Sequence, residues 1–283
     1  MTPRSDVTVL LARQRSGTNA LRGVLETHAE ICCLNEVFQL ADRRSADPLI
    51  RASNYFTFLE HYCAGDVTRS FPDRQPELLA AFLEHLRSLT PKRLIVLDVK
   101  YNSTHHLTDV FREMLTPPFF KLVKDRQIRV LHLTRGNLLR CLISNLKAWR
   151  SDRYHVLDGQ PPTDGRISLP PQWALEKMNG WLAEDELVAA AFEDYASYKR
   201  VDYTDIFPDL SGAIGPRALV DLASWFGVRN AFHNHTTFSK LSSLPLDQTI
   251  ENIEEVRTVL RGTRFEKFLE DEPAYRRPAA VGR

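Results

Sequence analysis

The stretch from Val7 to Asn19 constrains this chain more than any other. Val7-Thr8-Val9-Leu10-Leu11 is a short, nearly continuous apolar run, the pattern of a strand covered on both faces rather than one. Ser16-Gly17-Thr18 then turns the chain. Asn19 to His28 follows with Leu21 and Leu25 on one face, which predicts a helix. Glu30-Ile31-Cys32-Cys33 reads as a second short strand. A strand, a tight turn, a helix and a strand make a βαβ unit, and a sheet of such units is parallel and needs helices to cover it.

The same alternation runs through the rest of the sequence. Arg93 to Lys100, Gln127 to Leu133 and Lys199 to Tyr203 read as strands. Glu77 to Leu89, Leu138 to Arg150, Trp173 to Phe192, Pro216 to Phe226 and Thr249 to Leu260 read as helices. Residues 41–75 are rich in Arg and Asp and read as loop with one short helix, and Pro117-Pro118 breaks a helix. Residues 151–171 hold Gly159, Gly165 and four prolines, and read as a loop long enough to serve function. No linker interrupts the pattern. The expectation is one α/β domain over 1–283, with a central, mostly parallel sheet flanked by helices in three layers.

Composition sets the outer bounds. With 283 residues, 43% hydrophobic and 26% charged, the chain is ordinary globular protein and neither disordered, collagenous nor a disulfide miniprotein. Lys and Arg total 37 against 36 Asp and Glu, so the net charge is +1, which argues against a general nucleic-acid or membrane-surface binder. No apolar run reaches the roughly 18 residues a membrane-spanning helix needs. Met1 to Val7 lacks the apolar core of a signal peptide. Cys32, Cys33, Cys63 and Cys141 fit neither a zinc motif nor a disulfide framework. A cytoplasmic protein with reduced, buried thiols is expected, and no metal site.

The chemistry is concentrated in Leu10-Leu11-Ala12-Arg13-Gln14-Arg15-Ser16-Gly17-Thr18-Asn19. Backbone N–H groups at a helix start lack intrahelical partners and carry partial positive charge, so such a turn binds anions. Arg13 and Arg15 add guanidinium groups suited to phosphate-like oxygens. A plain turn capped by Ser16 or Thr18 would account for the small residues but not for two arginines. The nucleoside triphosphate loop G-x-x-x-x-G-K-[ST] is only half present. Ala12 stands at its first glycine, Thr18 at its lysine and Asn19 at its magnesium-binding hydroxyl. The parts that hold a γ-phosphate and its metal are therefore missing.

Arg15-Ser16-Gly17-Thr18-Asn19 resembles the 5′-phosphosulfate loop of sulfotransferases that use 3′-phosphoadenosine 5′-phosphosulfate as donor. The likeness is greatest to the branch with an R-S-G-[ST]-x loop, which holds the tyrosylprotein enzymes and the bacterial carbohydrate enzymes of the nodulation-factor and trehalose type. Arg135 closes a strand, and Ser144 follows on the next helix. Together with Asn137-Leu138-Leu139-Arg140 they are similar to that family's 3′-phosphate site. Arg200 to Ile206 resembles the family's v-x-Y-E-D-L strand end, with Thr204 replacing the acidic residue. Ile250 to Val256 resembles its late I-x-N-x-x-E helix. The likeness runs in order over roughly residues 7–270. The resemblance implies a P-loop-like fold and sulfuryl transfer to an acceptor hydroxyl. The donor would be bound by Arg13, Arg15, Ser16, Gly17, Thr18, Asn19, Arg135 and Ser144, without a metal.

Transfer to an alcohol needs a base for the acceptor proton and positive groups for the sulfuryl oxygens and the leaving phosphate. Arg15 and the turn's N–H groups suit the second task. For the first, Glu36 follows the second strand on the side where ligands bind in parallel sheets, and the resemblance places a glutamate base there. His105, with His106 beside it, is the competing base, in poor register beyond the strand that ends at Lys100. Lys100, Trp149 and Tyr154 are candidates for contact with the acceptor. The bacterial likeness implies a carbohydrate or glycolipid acceptor, with small metabolites, phenols, steroids and protein tyrosines open. Oligomeric state stays open, a homodimer included. The alternatives are a degenerate kinase-like phosphotransferase and a non-catalytic nucleotide-binding protein.

Overall fold

The computed structural model describes residues 6–64, 74–103, 118–151, 156–157, 165–209, 212–229, 231–236, 238–239 and 244–270. The first half runs β1 (Val7–Ala12), α1 (Thr18–Leu25), β2 (Ile31–Leu34), α2 (Pro48–Ala52), α3 (Tyr55–Tyr62), α4 (Gln75–Ser88), β3 (Leu94–Lys100), α5 (Pro118–Asp125) and β4 (Arg129–Thr134). The second half runs α6 (Leu138–Ser151), β5 (Val156–Leu157), α7 (Pro171–Ala191), β6 (Tyr198–Asp202), α8 (Tyr203–Ile206), α9 (Pro216–Phe226), β7 (Phe238–Ser239), α10 (Leu246–Thr249) and α11 (Ile253–Leu260).

The five main strands form one sheet in the order β2-β3-β1-β4-β6, and β5 pairs with β7 in a small separate ribbon. The pairings β2–β3, β3–β1 and β1–β4 are parallel, as an alternation of strands and helices requires. The α/β class expected from the apolar run at Val7 is the class observed. The register sets Ala12 opposite both Lys100 and Leu133, so β1, β3 and β4 end abreast at one edge of the sheet.

The described residues fall within two compact units. One comprises Met1–Gln14, Leu25–Leu133 and Leu187–Val201; the other comprises Arg15–Val24, Thr134–Glu186 and Asp202–Arg283. The first unit holds the sheet. Val7, Val9 and Leu11 of β1 and Ile95, Leu97 and Val99 of β3 alternate onto one face, where Phe38, Tyr55, Phe58, Phe82 and Phe119 cover them. The ring of Tyr55 meets those of Phe38 and Phe82 edge-on at 5.2 and 5.1 Å, a favoured aromatic geometry. In the second unit, Leu139, Leu142 and Ile143 of α6 pack with Met178 and Trp181 of α7 and Val256 and Leu260 of α11.

Three local departures from the sequence expectation have clear causes. Residues 41–75 hold more helix than one short piece. Asp47 accepts from the Leu49 and Ile50 N–H groups, and Asn54 from those of Phe56 and Thr57, so each caps a helix. Pro118 opens α5 rather than breaking a helix, because a first-turn proline has no intrahelical bond to lose. The helix expected over Thr249 to Leu260 is split. Ile250 bridges to Ile167, with Ile167 donating to the Thr249 carbonyl and Glu251 donating to the Ile167 carbonyl, both at 2.9 Å.

Candidate functional site

In the second unit the site begins with the turn before α1. Arg15 has φ 69° and Gly17 φ 94°, two left-handed residues on either side of the buried Ser16. For an arginine this conformation costs about 1 kcal/mol or more, and such strain concentrates at ligand sites. Glycine at position 17 is obligatory for a second reason. A Cβ there would stand 2.3 Å from both Cδ2 and Cε2 of Tyr203, so the turn lies directly on that ring. Thr18 then opens α1, and the Leu21 N–H donates to the Gly17 carbonyl at 3.2 Å. The Asn19 side chain accepts from Arg22 at 3.1 Å.

Residues far along the chain meet this turn. Nε and Nη2 of Arg15 donate to the Ser144 hydroxyl at 3.3 and 3.2 Å. The Arg15 carbonyl accepts from Nη1 of Arg135 and from the Cys141 thiol, both at 3.4 Å. The Arg135 guanidinium also lies over the Tyr203 ring at 5.2 Å, a cation–π contact. Asp202 secures the surroundings. Its carboxylate accepts from the Gly136 N–H at 2.6 Å and the Thr134 hydroxyl at 3.3 Å. It also caps α8 by accepting from the N–H and hydroxyl of Thr204 at 2.9 and 2.7 Å. Arg15, Ser16, Gly17, Arg135 and Ser144 therefore belong to one locality. Two guanidinium groups, a hydroxyl and a strained turn suit the spread charge of a phosphate-type anion.

The first unit carries a second polar cluster at the edge where the strands end. Asp98 and Lys100 stand on the same face of β3, both buried. Lys100 Nζ donates to Asp98 Oδ1 at 2.6 Å and lies 3.7 Å from Glu36 Oε1. The Ser103 hydroxyl accepts from the Lys100 N–H at 3.2 Å and donates to the Lys100 carbonyl at 2.7 Å, which fixes the strand's exit. The Glu36 side chain keeps 22% of its exposure against 3% for Lys100 and none for Asp98, so it is the member of the trio that solvent reaches.

Arg13 also belongs to the first unit, buried, with its guanidinium 5.2 Å from the centre of the Tyr101 ring. The Tyr101 hydroxyl is hydrogen-bonded to Nε2 of His132, and Nδ1 of His132 to the Tyr198 hydroxyl at 2.6 Å. Burial, and then the charges of Arg200 and Arg13, push the His132 pKa down to about 3, so the imidazole is neutral. One of its nitrogens must then donate and the other accept. Trp149 stands exposed on α6. His105, His106 and Tyr154 lie outside the described residues.

Four residues at these sites escaped the sequence reading of function. Tyr203 and Asp202 sat only in a loose family likeness. Tyr101 followed a strand end without a motif. Asp98 did carry a signal, a carboxylate inside the otherwise apolar run Leu94 to Val99, but nothing local names its partner.

No protein-family model matches the chain, and no curated protein matches it. Among solved structures it is similar to a sulfotransferase from Alicyclobacillus acidocaldarius, with 15% identity and a TM-score of 0.44, covering 98% of this chain and all of that one. It is similar to mouse sulfotransferase SULT7A1, solved in complex with PAP, with 14% identity and a TM-score of 0.42 over 80% of this chain, and it spans 60% of that protein's length. It is also similar to sulfotransferase STF1 from Mycobacterium tuberculosis H37Rv, with 17% identity and a TM-score of 0.34, covering 80% of this chain and 68% of that one.

Proposed function

We propose that this chain is an enzyme that moves a sulfuryl group from 3′-phosphoadenosine 5′-phosphosulfate to an acceptor hydroxyl, on a carbohydrate or glycolipid. The observation that carries the reading is the meeting of Arg15, Arg135 and Ser144 around a turn bent by two left-handed residues. Sequence likeness alone nominates those three residues for the two anionic ends of this donor. Their chemistry fits it: guanidinium groups and a hydroxyl recognise phosphate and sulfate oxygens, and Thr18 and Asn19 stand where a triphosphate site would need a lysine and a metal-binding hydroxyl.

In the proposed reaction the acceptor oxygen bonds to sulfur as the bond from sulfur to the bridging phosphate oxygen breaks. The electron pair leaves with the 5′-phosphate, giving 3′,5′-adenosine bisphosphate. Glu36 accepts the proton from the acceptor hydroxyl. Arg15 and the N–H groups of the turn offset charge on the sulfuryl oxygens and the departing phosphate. Arg135 and Ser144 bind the 3′-phosphate, and Ser16, Gly17, Thr18 and Asn19 hold the 5′ end. Arg13 supports the donor site, and Lys100 offers a charge to the acceptor or sulfuryl group, with Trp149 and Tyr154 as acceptor contacts.

The test is a thermal-shift comparison of 3′,5′-adenosine bisphosphate without metal against ATP with Mg²⁺. A ligand at about 100 times its Kd stabilises a fold by about 2.7 kcal/mol, a readily measured shift. The bisphosphate is expected to stabilise the protein and ATP with Mg²⁺ to do little. The reverse order would favour a phosphotransferase.

A further inference from the structure

We propose that Asp98 is a positioning residue, a buried carboxylate that holds the Lys100 ammonium back from Glu36 so that Glu36 remains able to take a proton. The inference rests on the proposed role of Glu36 as base. Its physical ground is the asymmetry of the trio. Asp98 has no exposure, and a carboxylate is kept in such a place only when a charged partner compensates its lost hydration. That partner is Lys100, held at 2.6 Å, hydrogen-bond distance, while Glu36 stands at 3.7 Å, within ionic range but beyond a hydrogen bond.

The strand geometry makes this holding possible. Residues two apart on a strand share a face, so Asp98 sits one step back from Lys100 towards the interior. The Lys100 ammonium reaches Asp98 along β3 while staying within ionic range of Glu36. An ammonium freed from Asp98 would turn to Glu36, a carboxylate already within ionic range of it, and donate to the oxygen that must receive the acceptor's proton. A carboxylate engaged in that way is a weaker base. The inner carboxylate thus keeps the positive charge close to the base without letting it occupy the base.

The experiment combines a spectroscopic readout with a double-mutant cycle. In protein labelled with ¹⁵N-lysine, the Lys100 Nζ–H₃ group is expected to give a resonance protected from solvent exchange, assigned by its absence in Lys100→Met. Asp98→Asn should abolish that protection and lower kcat at least tenfold, with bisphosphate affinity within twofold of wild type. In the Lys100→Met background, Asp98→Asn should change kcat less than twofold, because the residue through which Asp98 acts is gone. If Asp98→Asn does not fold, the double variant Asp98→Asn/Lys100→Met should, since it removes the stranded charge as well. Persistent Lys100 protection in Asp98→Asn, an equal loss of kcat in both backgrounds, or a double variant that also fails to fold would each overturn the proposal. Absence of any sulfuryl transfer by wild type counts against the reaction instead. In that case the lysine resonance still reports whether Asp98 holds Lys100.

Discussion

Arg15 carries more of the proposed chemistry than any other residue, and it does so from an unfavourable backbone conformation. Its φ of 69° points the carbonyl at Arg135 and Cys141 while its guanidinium meets Ser144. Arg15→Ala should lower kcat a hundredfold or more, since one charge-assisted donor to a developing anion contributes about 3 kcal/mol. Steady-state kinetics with the phosphosulfate donor check this, and a near-normal kcat would remove Arg15 from the mechanism. Gly17 is constrained by space as well as by φ. Gly17→Ala puts a methyl group into the Tyr203 ring, so it should cost about 2 kcal/mol or more in urea unfolding and weaken bisphosphate binding in parallel. An alanine variant of wild-type stability would mean that the turn does not rest on Tyr203 in solution. The Gly17 effect does not follow from glycine as a residue type alone, because the ring beneath the turn belongs to a distant part of the chain.

Strand β4 shows how an element can be apolar in pattern and still hold a polar device. Residues Val130, Leu131 and Leu133 make it an ordinary buried strand, and His132 among them joins the Tyr101 and Tyr198 hydroxyls. Burial, and then the charges of Arg200 and Arg13, favour the neutral ring. The unfolded chain binds a proton at His132 below about pH 6.5, whereas the folded chain binds it only near pH 3. Folding stability therefore falls as the pH drops through that window, by up to about 1.4 kcal/mol per pH unit from this group alone. Urea unfolding at a series of pH values should show His132→Gln losing less stability than wild type between pH 6.5 and 4. Parallel curves would show that His132 does not titrate as the fold implies. The helices reveal a similar division. The short helices after β2 depend on the side-chain caps Asp47 and Asn54, which are visible in the sequence. The break between α10 and α11 depends on a bridge to Ile167, which is not.

At the scale of the whole molecule, Glu36 and Arg135 follow strand ends and Arg15 stands in the turn between β1 and α1. Glu36→Gln preserves shape but cannot take a proton, so kcat should fall by about 10²–10⁴-fold while the bisphosphate still stabilises the protein as it does wild type. An active Glu36→Gln together with a dead His105→Asn would reassign the base. Arg135→Ala and Ser144→Ala should weaken the bisphosphate far more than adenosine 5′-phosphosulfate, which lacks the 3′ group. Equal losses measured by calorimetry would mean that these residues do not read the 3′-phosphate.

The sequence by itself determined the fold class and the place of the turn between β1 and α1. A strand apolar on both faces, a tight turn and a helix are properties of neighbouring residues, and their alternation along the chain points to a parallel sheet. The sequence also nominated Arg15, Arg135, Ser144 and Glu36, through spacing and likeness. Only the tertiary structure decided what those residues touch. Ser144 reaches Arg15 across 129 positions, Tyr203 lies under Gly17, and Asp98 holds Lys100 beside Glu36. Such partners are set by burial and by which strand ends meet at one edge of the sheet. Those are properties of the packed chain, and no local pattern of residue types encodes them.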